Sequence, residues 1–260
     1  MTLRRPRLYC CVVRLKNPPP SLKLLASPHL DAVARVAEQL ARRGWAEANA
    51  GNFSIRLGAL ADFRAETSPM PAGLTARLLS PLAGRALLVK TAGARMSDIA
   101  RDPRSGICLL RVHNEATGFL RLGKTGPTSE LPAHLAAHAV LARSRPEHTC
   151  VLHTHPTALI ALSLVTREPT RLLRTLSRAH AEMELVKGRL AALPFILPGS
   201  SALARSTGRA LRRCDAVIWP RHGIIATGTD LERALDLIEI CDKAADIALR
   251  AKCATTHPRG

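Results

Sequence analysis

His153-Thr154-His155, answered far downstream by His222 in Arg221-His222-Gly223, narrows what this chain can fold into, because imidazoles from two separate segments must be carried to one point. Alternate side chains of a strand share a face. A strand beginning at Cys150-Val151-Leu152 therefore aims His153 and His155 the same way. Pro156 has no amide hydrogen to continue a ladder, so the strand ends there with the imidazoles at its exit. His222 stands at a similar boundary: Ala216-Val217-Ile218-Trp219-Pro220 reads as a buried strand, and Gly223 marks the turn. Three neutral nitrogens with a fourth position left open are the ligand set of catalytic zinc, whereas closed structural sites are usually richer in cysteine. The pattern is that of a metalloenzyme.

The 260 residues, 47% of them hydrophobic, suffice for one sizeable core. Aromatic residues make up only 3%, so Leu, Ile, Val and Ala must do most of the packing. The seven cysteines form no CxxC pair and sit mostly in apolar stretches, which suits reduced thiols in a cytoplasm. No apolar run approaches the roughly 18 residues that span a bilayer, so a soluble protein without membrane contact is expected. A formal charge of +18 invites a nucleic-acid reading. The basic residues, however, are spread from Arg4 to Arg259, with no DNA-reading helix and no interleaved aromatics to stack on bases. Specific nucleic-acid binding is not expected, and phosphate on a small substrate is the better use of the positive potential.

Residues 1–26 are basic, contain Pro18-Pro19-Pro20 and carry no acid, and they read as a disordered extension. A main domain follows over residues 27–253, and residues 254–260 read as a flexible tail. Ser27-Pro28 opens a helix that Gly44 stops. Ala50-Gly51-Asn52 turns into a strand with Phe53, Ile55 and Leu57 on one face, and residues 68–71 read as a Pro-rich connection. Strands are expected over residues 86–89, 106–112 and 119–122, with residues 115–118 turning a hairpin. Helices are expected from just after Glu130 to Leu141, over 157–164 and over 206–213, whereas 165–190 shows no clear pattern. Thr229-Asp230-Leu231-Glu232 has the form of a capping box before a last helix with an apolar stripe at Leu231, Ala234, Leu235, Ile238, Cys241, Ala245 and Ala248. Alternating strands and helices favour a layered α/β domain. His134 and His138 stand at helical spacing with no third ligand, and they are assigned to packing or the surface rather than to a second metal.

Four ordered motifs resemble the class II aldolases, a zinc-dependent family whose fold also serves noncatalytic adducin-like modules. They are the stretch from Gly44 to Ser54, Pro127-Thr128-Ser129-Glu130, His153-Thr154-His155-Pro156 and Trp219-Pro220-Arg221-His222-Gly223. The resemblance covers about residues 28–250. It implies a three-layer α/β/α sandwich with a mixed, mostly antiparallel central sheet, assembled as a homotetramer with active sites at subunit boundaries. It further implies that His153, His155 and His222 bind Zn(2+), and that Glu130 is the acid/base. Asn49, Asn52, Thr128 and Ser129 match positions that cradle the substrate phosphate, and Glu182 is the nearest match to the proton donor for the departing aldehyde, with Glu184 as its rival.

The implied reaction is reversible cleavage of a ketose 1-phosphate, of the rhamnulose 1-phosphate type, into dihydroxyacetone phosphate and an aldehyde. An epimerase or a dehydratase acting on a sugar phosphate uses the same fold. Glu130 is expected on the first helical turn, held by nearby amides. Where the family has Thr-Gly-Thr-Gly, this chain has Lys90-Thr91-Ala92-Gly93; the hydroxyl expected at Ala92 is missing, and Lys90 offers a charge instead.

Overall fold

The computed structural model describes residues 28–59, 65–123 and 125–256. The expected extension over 1–26 and the Ser27 cap lie outside them. The first helix, α1 (Pro28–Arg43), buries Leu30, Val33, Val36, Ala37 and Leu40 along one stripe. It stops where expected: Gly44 takes the left-handed conformation, φ 68°, and the Trp45 amide folds back to the Leu40 carbonyl.

Among the described residues, nine strands form a single sheet. They are β1 (Asn52–Ala59), β2 (Glu66–Pro69), β3 (Arg85–Lys90), β4 (Ile107–Val112), β5 (Gly118–Leu122), β6 (Cys150–Thr154), β7 (Leu190–Ala192), β8 (Ala216–Trp219) and β9 (Gly223–Gly228). Their order is β2-β5-β4-β3-β1-β6-β9-β8-β7, and every pairing except β7 with β8 is antiparallel. Two short helices, α2 (Ala76–Leu79) and α3 (Met96–Arg101), flank β3 in sequence. The longer ones are α4 (Leu131–Ser144), α5 (Thr157–Val165), α6 (Pro169–Ala179), α7 (Ser201–Ala210) and α8 (Leu231–Thr256).

Side-chain alternation splits the core into two clusters, one on each face of the sheet. Phe53, Ile55, Leu88, Leu152 and Ile224 face α1, α3, α5, α6 and α8. Leu87, Val89, Leu110, Val151 and Ile225 face α2, α4 and α7. The result is a mixed sheet between two helical layers, the three-layer α/β/α sandwich.

Several local expectations are corrected. Residues 68 and 69 of the expected connection instead belong to the edge strand β2 on β5, where Pro69 is tolerated because an edge leaves its missing donor unneeded. Helix α7 begins at Ser201, ahead of the expected 206, because the Ser200 hydroxyl accepts the Leu203 amide at 3.1 Å and caps it there. The segment 165–190 resolves into α6 and a 3-10 turn, Ala181–Val186, leading to β7. At the last helix Asp230, rather than Thr229, is the cap: its carboxylate accepts the Arg233 amide at 2.7 Å, and Glu232 pairs with Arg35 at 2.8 Å. Helix α8 runs on to Thr256, past the boundary expected at 253. Burial pushes the thiols of Cys108, Cys150 and Cys241 up to about 12, which keeps them protonated and unreactive. Among the described residues no helix is long and apolar enough to cross a membrane.

Candidate metal centre

Strands β6 and β8 leave the sheet at the same end, on either side of β9, because both pair antiparallel with it. His153 is the fourth residue of β6 and projects from the α4 side of the sheet, and His155 follows on the same parity just past the strand. Their approach to His222 depends on the tight turn between β8 and β9. There Arg221 adopts φ 63°, its amide donates to the Ser163 hydroxyl at 2.8 Å, and the His222 amide donates to the Trp219 carbonyl at 3.0 Å. Gly223 has φ 152°, and a Cβ there would lie 2.2 Å from the Thr154 carbonyl oxygen. Gly223→Ala is therefore expected to destabilise the metal-free protein by about 1–3 kcal/mol from backbone strain, with the clash adding to that, as read by denaturant unfolding.

The three imidazoles offer ligand nitrogens that all lie within 4.8 Å of one another. Their tautomers follow from their partners. His153 Nδ1 donates to the Ile224 carbonyl at 2.9 Å, and His155 Nδ1 donates to the Glu47 carboxylate at 2.7 Å. Each ring thus presents a bare lone pair on Nε2, and these two nitrogens face each other at 3.1 Å. A Glu130 oxygen lies 3.2 Å from His153 Nε2 and the other lies 3.1 Å from His222 Nε2. Converging acceptors with too few hydrogens between them repel unless a cation sits among them. The residues present therefore fit a divalent ion, held by His153, His155 and His222 beside Glu130. Trp219 packs against His153 and stacks on His222, and its indole N–H is fixed by the Thr207 hydroxyl at 3.0 Å. Burial pulls the His153 imidazole down to about 3, so it remains a neutral ligand.

Glu130 is 8% exposed and stands just before α4, not on its first turn. The expectation that backbone amides hold its carboxylate is corrected: the side-chain amide of Asn52 donates to it at 3.0 Å. Burial alone would raise its pKa, but positive charge at His153 and His222, with the Asn52 hydrogen bond, outweighs that and holds it well below the usual carboxylate range; with the rings neutral, a cation among them would supply that charge.

A cavity of about 390 Å³ opens onto this group, lined by Asn49, Asn52, Thr128, Ser129, Glu130, His155 and His222. Asn49 and Ser129 are exposed, whereas Asn52 and Thr128 are buried. The Thr128 hydroxyl accepts the Glu130 amide at 3.3 Å. Lys90 also lines the cavity, 2% exposed, and its ammonium donates to the Asn49 carbonyl at 2.9 Å. Burial lowers its pKa to about 8 against the opposing pull of Glu130. Glu182 does not join the others: it is exposed on the 3-10 turn and does not line this cavity. Glu184 is exposed and paired with Lys187 at 2.9 Å.

Sequence reasoning did not reach the environment of Asn52 itself. Its carbonyl oxygen accepts from His134 Nε2, and Ser54 bridges His134 and His138 at 2.7 and 2.8 Å. Both rings are fully buried, so a surface role for them is excluded. The available signal was the pair of histidines, four residues apart, on a helix that is otherwise almost wholly apolar.

Residues 31–249 match the sequence profile of the class II aldolase and adducin N-terminal domain. A rhamnulose-1-phosphate aldolase of Listeria welshimeri is 31% identical over 235 residues, covering 86% of this chain and 84% of that protein. One from Bacteroides thetaiotaomicron is 30% identical over 240 residues, covering 89% and 88%. Among solved structures, a sugar-phosphate aldolase from Thermotoga maritima superposes with TM-score 0.71 at 32% identity, covering 88% of this chain and 98% of that one. An L-fuculose-1-phosphate aldolase from Thermus thermophilus has TM-score 0.60 at 22% identity, with 90% and 100% covered, and shares the fold. With the match spanning nearly the whole described chain, the protein belongs to the class II aldolase and adducin N-terminal domain family.

Proposed function

We propose that this chain is a zinc-dependent aldehyde-lyase that reversibly cleaves a ketose 1-phosphate, of the rhamnulose 1-phosphate type, to dihydroxyacetone phosphate and an aldehyde. The observation that carries the reading is the carboxylate of Glu130 set between His153 and His222 at the mouth of a cavity that also holds a buried ammonium. His153, His155 and His222 would hold a divalent ion, which when bound would supply Lewis acidity beside the bond that breaks.

Glu130 does the proton work. In the condensing direction its carboxylate removes a proton from the carbon that becomes C3; in cleavage, the electron pair of the C3–C4 bond stays on C3 and the same carboxyl group returns the proton there. The low proton affinity of Glu130 keeps it ionised before substrate arrives, ready as the base for condensation; for cleavage it must first take up one proton, balanced by the one the C4 hydroxyl gives up, and then pass it to C3. As C4 becomes the aldehyde, its hydroxyl proton must leave. Glu182 suits that step if a neighbouring copy of a homotetramer carries it to the site, since within one chain it lies outside the cavity. A cytoplasmic setting fits the buried, protonated thiols.

For the phosphate, Asn49, Thr128 and Ser129 offer amide and hydroxyl hydrogens, and Asn52 retains one amide hydrogen beyond that given to Glu130. Lys90 adds charge where Ala92 lacks a hydroxyl. A buried ammonium whose one hydrogen-bond partner among the described residues is a carbonyl is poorly compensated, and a phosphate oxygen would complete it. Lys90→Met is expected to raise KM for the phosphorylated substrate by at least about 10-fold, as charge-assisted bonds are worth about 1.5–3 kcal/mol, while leaving metal content intact. A panel of ketose 1-phosphates, with dihydroxyacetone phosphate as the readout and bound metal measured in parallel, tests the whole reading. Stoichiometric metal without cleavage of any member would defeat the aldolase assignment.

A further inference from the structure

Beneath Glu130 a line of side chains runs into the protein, from Asn52 and Ser54 on β1 to His134 and His138 on α4. All four are buried and none of the last three touches the cavity. The direction of every hydrogen bond in the line is determined from both ends. Glu130 is an ionised acceptor, so Asn52 must turn its NH2 toward it and its carbonyl oxygen toward His134. His134 Nε2 then carries the hydrogen, leaving Nδ1 as a lone pair that accepts the Ser54 hydroxyl. With its hydrogen committed, Ser54 oxygen accepts from His138 Nε2, and His138 Nδ1 is left without a hydrogen.

That last atom is buried with no partner among the described residues. A bare lone pair is a tolerable orphan in a protein interior, whereas a buried N–H without an acceptor is rare. Reversing the chain would place an orphaned N–H at His138 and point the Asn52 carbonyl oxygen at the Glu130 carboxylate. The two ends, chemically independent, select the same polarity. Burial holds His134 down to about 4 and, with the fields of His134 and Arg56, holds His138 well below the ordinary imidazole range, so neither ring gains a second hydrogen near neutral pH.

We propose that His138, Ser54 and His134 form a polarised positioning chain that fixes which way the Asn52 amide faces, and through it holds the Glu130 carboxylate against the histidine cluster. They are positioning residues, since none contacts the substrate cavity. The catalytic consequence rests on the aldolase reading; the hydrogen placement does not.

The test has two arms. In the full-length, zinc-loaded protein, 15N correlation spectra of the imidazoles are expected to show both His134 and His138 as Nε2–H tautomers. An Nδ1–H signature at either ring would overturn the proposal. In Ser54→Ala, His134 loses the donor that locks its tautomer. The expected result is a mixture of tautomers at His134 and a fall in kcat of about 10- to 100-fold, the range for partners one step removed from a metal site, with KM and zinc content little changed. Rescue by Ser54→Thr, which restores the hydroxyl, supports the chain. A Ser54→Ala protein that is less stable but keeps its parental kcat and a single His134 tautomer would reduce these residues to packing. If the parent cleaves no ketose 1-phosphate, the aldolase reading falls, and the tautomers alone decide the chain.

Discussion

Glu130→Gln is expected to keep its metal and lose its chemistry, with kcat falling by about 100- to 10,000-fold, the usual worth of a positioned acid/base. The substitution is nearly isosteric. Its amide oxygen still accepts from Asn52 and its volume is nearly that of the acid, so the pocket keeps its shape. What disappears is a group that can both hold and release a proton beside C3. KM should change little, because the phosphate-facing groups, Asn49, Lys90 and Ser129, are untouched. Zinc measured by atomic absorption should stay at the parental ratio. Retention of substantial cleavage would show that the proton travels through another group, and the reading of Glu130 as the acid/base would fail even with the metal site intact.

The histidine cluster of the candidate site is legible in the sequence because it depends on short-range geometry. Strand parity puts His153 and His155 on one face, Pro156 ends the ladder, and Gly223 marks the turn that returns His222. Three helix boundaries that rest on a single capping hydroxyl or carboxylate were misplaced or missed, at Ser200, Asp230 and Glu168, because each such cap competes with neighbours of the same type. The buried support of Glu130 escaped for a different reason. In β1 the polar residues Asn52 and Ser54 alternate with Phe53 and Ile55, the pattern of a strand with one wet face. That face is in fact covered by α4, whose own histidines supply the missing partners. Alternation reports polarity, and a polar face satisfied by side chains looks the same in sequence as one satisfied by water. Gly208 makes a related point: it marks no break in α7 but lets that helix approach α4, since a Cβ there would lie 3.3 Å from Ala136.

His222→Ala is expected to weaken zinc binding by more than about 100-fold, since groups merely supporting a ligand already cost 10- to 100-fold and this removes a ligand outright. Of the two imidazoles that face Glu130 it is the informative one to remove. His153 is fully buried and packed on Trp219, so its truncation would leave a hole in the core and confuse loss of metal with loss of fold. His222 lies on the turn after β8 and its buried Nδ1 has no hydrogen-bond partner among the described residues, so its removal should cost the metal-free protein less than removal of His153. Metal-loaded parent should unfold at a higher denaturant concentration than its metal-free form, by about 4 kcal/mol when free zinc is 1,000 times its dissociation constant. In the variant, at the same zinc concentration, most of that difference should vanish. The carboxylate of Glu130 then loses one imidazole and keeps its Asn52 contact, so a residual two-histidine site beside an acid remains, weak but measurable. If zinc instead stabilises His222→Ala as much as the parent, the ion is held elsewhere, and the convergence of strand exits on which the proposed chemistry stands does not form the metal site.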